Sequence, residues 1–331
     1  MLVLGIETSC DETGAGVVKD GNEVLSDTVA SSLEFHKRYG GVVPEIATRY
    51  HLEVIDYVVK DSLKSAGVTL KDIGLVAVTQ GPGLVGALLV GISFAKSLGY
   101  SLGIPVVGVN HLWAHIYSGL IGRPKAKFPL MGLVVSGGHT SLVLCEGIGK
   151  FKLLGQTRDD AIGEAFDKVA KILGLGYPGG PAIEKAALRG DPEAVRLTPP
   201  YMGDDSYDFS FSGMKTAVLY HVKGRKLTAG MKADVAASFQ KAAVAAVVEK
   251  AVSACASKGI GSLIVGGGVS ANKLLREELT RAGAKNGIEV IFPPVRLSLD
   301  NGAMIASTGY LLYKKGKRSG LALTAEPNLG I

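Results

Sequence analysis

The sequence predicts an α/β protein of two similar lobes. Three observations lead there. The chain has 331 residues, more than one compact core usually holds. Each half opens with an antiparallel run of strands around a tight polar turn, then alternates helices with strands. Glycines, 45 in all, gather in loops after apolar runs rather than in linkers.

The first half begins with "LVLGIET", an apolar strand, then the polar turn "SCDETG" and a second strand, "AGVVKDG". "NEVLSDTVASS" adds a third. "PEIATRYHLEVIDYVVKDSLKSAG" is patterned as a helix, and "IGLVAVTQGPG" is a buried strand closed by a glycine–proline loop. "LVGALLVGISFAKSLGYSLG" follows as an apolar helix. The strand "PVVGVN" then delivers the chain to His111. The second half restarts with "LMGLVVSGGHTSLVLCEGIGKFKLLGQT", read as strand, glycine turn, strand, turn, strand. "DDAIGEAFDKVAKILG" is helical. "GSLIVGGGVSANKLLREEL" is strand, glycine loop and helix, with Ser270 as the expected N-cap. "EVIFPP" is a strand and "DNGAMIASTGYLLYKKG" a helix. The repeat is one of pattern, not of letters. It resembles the plan of the actin, Hsp70 and sugar-kinase superfamily, two lobes around a nucleotide cleft with ligands at the carboxyl ends of strands. The expected division is 1–110 plus 302–331 for the first lobe with its C-terminal helix, and 111–301 for the second lobe, carrying substrate and metal at the cleft.

Composition narrows the class. Hydrophobic residues make up 47% and charged residues 20%, which suits a well-buried core. The N-terminus has no basic segment of a signal peptide, and no apolar run reaches the ~18 uncharged residues of a membrane span. Cys10, Cys145 and Cys255 are too few and too scattered for a disulfide framework or a zinc knuckle, so a reducing cytoplasm is the expected setting. A net charge of +6 admits a nucleic-acid partner without demonstrating one.

Three glycine loops follow strands: "GIETSCDETG" (5–14), "VVSGGHTS" (134–141) and "VGGGVSANKLL" (265–275). Glycine lets backbone N–H groups approach a phosphate, and a helix N-terminus adds favourable potential. One such loop reads equally as a tight turn; three together favour a nucleotide. None matches the P-loop or GxGxxG, so neither a P-loop NTPase nor a dinucleotide enzyme is indicated. His111 and His115 stand at i and i+4, a spacing that serves a shared metal and also arises by accident. Leu112 stands where an HExxH metalloprotease has its glutamate, so the motif supplies no base for peptide hydrolysis. Asp300 in "SLDNGAM" completes a two-His, one-carboxylate set; an aspartate there equally caps the helix that follows.

Nine ordered segments carry a closer likeness: "GIETSCDET", "GGVVPEIATRYH", "QGPGLVGALLVG", "NHLWAH", "VSGGHTSL", "DDAIGEAFDKVAKILGLGYPGGP", "DFSFSGMKT", "GGGVSAN" and "DNGAMIA". Together they resemble the universal family of tRNA threonylcarbamoyladenosine synthase catalytic subunits, in its bacterial TsaD form, over residues 1–314. The last residues, "YKKGKRSGLALTAEPNLGI", carry no motif. The resemblance implies transfer of a threonylcarbamoyl group from threonylcarbamoyl-AMP to the exocyclic amine of the adenosine 3′ of the anticodon, in tRNAs reading ANN codons, with release of AMP. It implies one divalent metal per subunit, iron(II) or zinc, on His111, His115 and Asp300. It implies substrate binding by Val134, Val135, Ser136, Gly137, Gly138, Asp167, Gly180 and Asn272, and activity dependent on Asp11 and Glu12. It also implies tRNA, a paralogous noncatalytic subunit of the TsaB type and a small ATPase of the TsaE type as partners, with no membrane. Leu-Trp-Ala separates the histidines here, where bacterial relatives often have Met-Glu-Gly; the ligand spacing is unaffected.

Residue by residue, simpler readings stand beside these. Asp167 suits a ribose hydroxyl, or pairs with Lys171 at i+4. Asn272 suits a base or ribose, or merely opens a helix. Lys215, read in a polar loop, touches tRNA or orders the cleft. A small-molecule kinase of the same superfamily needs an acidic base and Mg²⁺ but no histidine pair. A noncatalytic nucleotide-binding scaffold should lack the His–His–Asp set.

Overall fold

In the computed structural model, which describes residues 1–123, 127–200, 202–203 and 206–331, the chain forms two compact units. Unit 1 comprises residues 1–128, 147–150 and 293–331; unit 2 comprises 129–146 and 151–292.

Unit 1 contains β1 (Leu2–Glu7), β2 (Glu12–Lys19), β3 (Glu23–Ser31), α1 (Leu33–Lys37), α2 (Pro44–Ala66), β4 (Ile73–Gly81), α3 (Val85–Leu102), β5 (Val106–Asn110) and α4 (His111–Tyr117). Its sheet runs β3-β2-β1-β4-β5, antiparallel through β3, β2 and β1 and parallel from β1 to β5. Alternation along β1 sends Leu4 and Ile6 into one core with Ile55 of α2 and Leu88 of α3. Val3 goes to the opposite face, into a core with Ala303 and Met304. By length and composition α3 could cross a membrane, yet Leu88, Ile92 and Ala95 lie in the same core as Leu4 and Ile6.

Unit 2 contains β6 (Leu130–Val135), β7 (Thr140–Gly147), β8 (Lys150–Gln156), α5 (Ile162–Leu173), α6 (Gly179–Ala187), α7 (Ser212–Val222), α8 (Ala229–Lys258), β9 (Ser262–Gly266), α9 (Lys273–Lys285) and β10 (Glu289–Ile291). The chain then returns to unit 1 with α10 (Val295–Ser298) and α11 (Gly302–Lys314). The second sheet, taken as β8-β7-β6-β9-β10, repeats the strand order of the first. β6 is antiparallel to β7 and parallel to β9, as β1 is to β2 and β4. The patterned repeat is therefore a repeat of topology. Helices α6 to α8 have no counterpart in the sequence reading. The apolar residues of α8 are mostly alanine and valine spread around its circumference, so 3.6-residue periodicity is weak although Val235, Phe239 and Val247 are core.

The units divide at 128/129 and 292/293, not at 110/111 and 301/302 as expected. The reason is α11. It packs on α4 and shares a core with Ala114, so His111, His115 and Asp300 all belong to unit 1 rather than to the second lobe. α11 also lies unusually close to the first sheet. A Cβ at Gly5 would sit 2.1 Å from Gly302 O, and one at Gly16 would sit 2.4 Å from Ala303 N. Backbone meets backbone there, which fixes the start of α11 and the aspartate two residues before it.

Candidate functional site

Two helix starts differ from expectation, and both bear on the site. Asn301, not Asp300, caps α11: its Oδ1 accepts from Met304 N at 2.8 Å. Asn272, not Ser270, caps α9, accepting from Leu275 N at 3.0 Å. Ser270 lies one turn earlier in a 3₁₀ segment, Gly268–Ala271.

In unit 1, β5 ends at Asn110, whose Oδ1 accepts from Leu112 N (2.9 Å) and Trp113 N (3.3 Å) and so starts α4. That helix places His111 and His115 on one face with their Nε2 atoms 3.1 Å apart. Asp300 Oδ1 lies 3.1 Å from His115 Nε2 and 3.6 Å from His111 Nε2. A tetrahedral ion with ligand bonds of about 2.0–2.1 Å needs ligand atoms about 3.3–3.4 Å apart, so the three donors fit a divalent metal. Both imidazoles are buried and the carboxylate is 20% exposed, which leaves one open side, as a catalytic site requires.

The set has a built support. His111 Nδ1 donates to Glu7 Oε2 at 2.9 Å and lies 3.2 Å from Ser9 Oγ. Glu7 is fully buried and accepts two further bonds, from Ser9 N (2.5 Å) and Thr79 Oγ1 (2.7 Å). Burial pushes the Glu7 carboxyl up, but the His111 cation beside it outweighs this and holds it below its ordinary value. Burial pulls His111 down, while Glu7 and Asp300 together raise it to about 9. A divalent metal on this set would take the place of a proton at His111 Nε2, while Glu7 keeps the Nδ1–H. The support is one-sided, because the buried His115 Nδ1 has no hydrogen-bond partner among the described residues. Sequence reasoning missed Glu7; the available signal was an acid inside an apolar strand.

The first glycine loop differs from its expected role. Thr13 is buried and bonded to His51 Nδ1 at 2.7 Å, Ser9 faces His111, and Gly14 abuts Gly302. These three residues serve structure rather than a phosphate. Between them the Asp11 carbonyl accepts from Ser32 N and Ser32 Oγ, and the Cys10 carbonyl accepts from His51 Nε2 at 3.0 Å. That holds Asp11 and Glu12 in place. Burial, then the nearby Asp300 and Asp11 carboxylates, push Glu12 up to about 9.

In unit 2, Val134 and Val135 close β6, and their side chains are fully buried. Ser136, Gly137 and Gly138 form the accessible turn, and a Cβ at either glycine would meet nothing within 4 Å. The third loop lies beside it: Gly267, at φ +90°, would place a Cβ 2.4 Å from Val135 O. Asp167 does not need Lys171; its Oδ1 accepts from Gly179 N at 2.6 Å and tethers the start of α6, where Gly180 lies with open space around it. Asn272 is 7% exposed and donates to Gln240 Oε1 at 3.1 Å besides capping α9. Lys215 lies on α7, not in a loop, and pairs with Asp160 at 2.7 Å. Structure thus brings together 136–138, Asp167, Gly180 and the third loop around α5.

Known proteins resemble this chain in sequence and in fold. Residues 23–307 match the family described as TsaD, tRNA N6-adenosine threonylcarbamoyltransferase. A Symbiobacterium thermophilum protein named tRNA N6-adenosine threonylcarbamoyltransferase is 55% identical over 331 residues, covering 100% of this chain and 97% of that protein. A Clostridium botulinum protein of the same name is 51% identical over 332 residues, covering 99% and 97%. Among solved structures, full-length HypF superposes with a TM-score of 0.64 at 16% identity, over 95% of this chain and 55% of that one. A ROK hexokinase from Thermus thermophilus gives 0.53 at 17%, over 96% and 100%. At such identities these two speak for the fold alone, that of the actin, Hsp70 and sugar-kinase superfamily. The full-length matches, not the fold, are what establish descent: the chain belongs to the tRNA N6-adenosine threonylcarbamoyltransferase family.

Proposed function

We propose that this chain transfers the threonylcarbamoyl group of threonylcarbamoyl-AMP to the exocyclic amine of the adenosine 3′ of the anticodon in ANN-decoding tRNAs, releasing AMP. The observation that carries the reading is the convergent His111–His115–Asp300 set in a chain of this family. It also weighs against a kinase or a noncatalytic scaffold, neither of which needs those three side chains.

When bound, iron(II) or zinc would supply Lewis-acid polarisation of the carbonyl under attack. The chain's own residues do the rest. Glu7 holds His111 in the tautomer that leaves Nε2 for a ligand. Backbone N–H groups of Ser136, Gly137 and Gly138 and the start of α6 at Gly180 receive the adenylate phosphate. Asp167 and Asn272 shape that pocket through the bonds that hold α6 and α9. Asp11 and Glu12 handle the proton that the amine sheds as the new C–N bond forms. Positioning of two reactants contributes up to ~7–11 kcal/mol in favourable intramolecular cases.

The partner subunit of the TsaB type docks on the exposed apolar side chains of α2 and α3, Leu52, Tyr57, Val85 and Leu89. A TsaE-type ATPase completes the assembly, and the setting is the cytoplasm. Incubation with unmodified tRNA, threonylcarbamoyl-AMP and the partner subunits tests the reading. Labelled nucleoside should form on an ANN-decoding tRNA and not when that adenosine is guanosine. His111→Ala, His115→Ala and Asp300→Ala should each lose bound metal and transfer. Full metal content and turnover in all three, or metal-dependent proteolysis with no tRNA product, overturns it.

A further inference from the structure

The segment 317–331 carries no motif, yet it makes an ordered series of bonds along one edge of unit 1. Ser319 N donates to Val106 O at 3.1 Å, and Gly108 N donates to Ser319 Oγ at 2.9 Å, so the segment runs against edge strand β5. Glu326 N donates to Gln80 O at 2.9 Å, and Gln80 Nε2 donates to Glu326 Oε1 at 2.7 Å. Finally Asn110 Nδ2 donates to Gly330 O at 2.8 Å. We propose that this segment is a positioning clamp for the metal set, acting through Asn110 on His111 and His115 and through Gln80 on Glu7. The proposal rests on the metal reading above.

Asn110 is the decisive link. It is 3% exposed, and its amide orientation is determined by chemistry, since Gly330 O only accepts while Leu112 N and Trp113 N only donate. One side chain therefore joins the C-terminal segment to the first turn of α4. That helix has seven residues, too few to be stable by itself, so its axis depends on its cap and its packing. The packing on this side is open: a cavity of about 460 Å³ lies among Asn110, Trp113, Gln80, Lys317, Glu326 and Leu329. Ala114, Ile116 and Tyr117 pack α4 into the unit, and on the side where side chains leave such space the polar anchors hold it instead. A metal set tolerates displacements of only about 0.5 Å.

The second path runs through β4. Glu326 bonds both the backbone and the side chain of Gln80, and the preceding residue, Thr79, donates to Glu7 Oε2. Glu7 in turn holds His111 Nδ1. The segment thus steadies His111 from its backbone side and from its Nδ1 side.

Zinc and cobalt(II) alone serve as probes on the full chain, on Asn110→Ser and on a chain ending at Ala325. Serine still offers a cap acceptor to α4 but has no amide to donate to Gly330 O. Both variants should bind zinc about tenfold or more weakly in a chelator competition, as for lost support behind a metal ligand. Both should also shift the visible bands of bound cobalt(II), which a general loss of stability does not do. Combined, they should weaken binding by less than the product of the single effects, because both break the Gly330 bond. Wild-type zinc affinity and cobalt spectrum in Asn110→Ser overturn the proposal, whether or not the shortened chain folds; so do the same results in a folded shortened chain. Failure of the wild-type chain to bind either ion overturns the metal reading itself, and the clamp with it.

Discussion

Replacing Glu7 with glutamine isolates one buried carboxylate at nearly constant volume. Its two oxygens accept three bonds, from Ser9 N, Thr79 Oγ1 and His111 Nδ1. Glutamine turns one acceptor into a donor. If the amide nitrogen replaces Oε1 it faces the Ser9 N–H, which cannot reverse, and a buried donor is left unpaired at a cost of about 1–3 kcal/mol. If it replaces Oε2, the Thr79 hydroxyl can turn, but His111 must accept at Nδ1 and carry its proton at Nε2. That is the atom offered to the metal. Either arrangement should lower zinc affinity about 10–100-fold, or ~1.4–2.8 kcal/mol, the range for loss of a carboxylate behind a ligating histidine. Chelator competition measures the affinity, and urea unfolding without metal measures the stability. A Glu7→Gln protein with wild-type zinc affinity would refute this account of how His111 is held.

Three other perturbations test separate parts of the structure. Gly302→Ala puts a Cβ 2.2 Å from Gly16 N, where neither backbone can give, so urea unfolding should show a loss of about 1–3 kcal/mol; an unchanged midpoint contradicts the packing of α11. Lys215→Ala leaves Asp160 with Lys168 alone and should destabilise by about 1–2 kcal/mol, whereas unchanged stability with a lower salt dependence of tRNA binding would mark Lys215 as a phosphate contact instead. Burial raises the Asp27 carboxyl, which accepts from Ala303 N at 3.1 Å, to about 6 from an ordinary 3.8. The folded chain holds that proton more tightly than the unfolded chain, so stability falls as pH rises from about 4 to about 6 and is level above. Asp27→Asn should remove that fall, on the order of 1–3 kcal/mol between the two ends; a stability difference from wild type that stays constant across the window refutes it.

The sequence by itself determined the class of the fold, because strand alternation, glycine turns and amphipathic helices are local patterns. The order β1, β2, β3, α2, β4, α3, β5 stands as read, and in unit 2 so do β6, β7, β8, α5, β9, α9 and β10, whereas α6 to α8 between α5 and β9 go unread. It also offered the metal candidates: His111 and His115 share a face through the geometry of one helical turn, and Asp300 is named by its place after the strand "EVIFPP" and by the family resemblance. What only tertiary structure decided is everything that depends on distant contacts. The unit boundaries moved because α11, two residues after Asp300, packs on α4, nearly two hundred positions away in sequence. Ser9, Thr13 and Gly14, which look like a phosphate loop, are taken up by His111, His51 and Gly302. Glu7 reads as one acid in an apolar strand until Thr79 and His111 meet it. Asn110 reads only as the end of the strand "PVVGVN" until the fold makes it the cap of α4 and brings Gly330 to its amide. Short-range pattern constrains which elements form; which polar atoms end up paired is set by the packing that brings those elements together, because a buried donor or acceptor must find its partner wherever the fold supplies one.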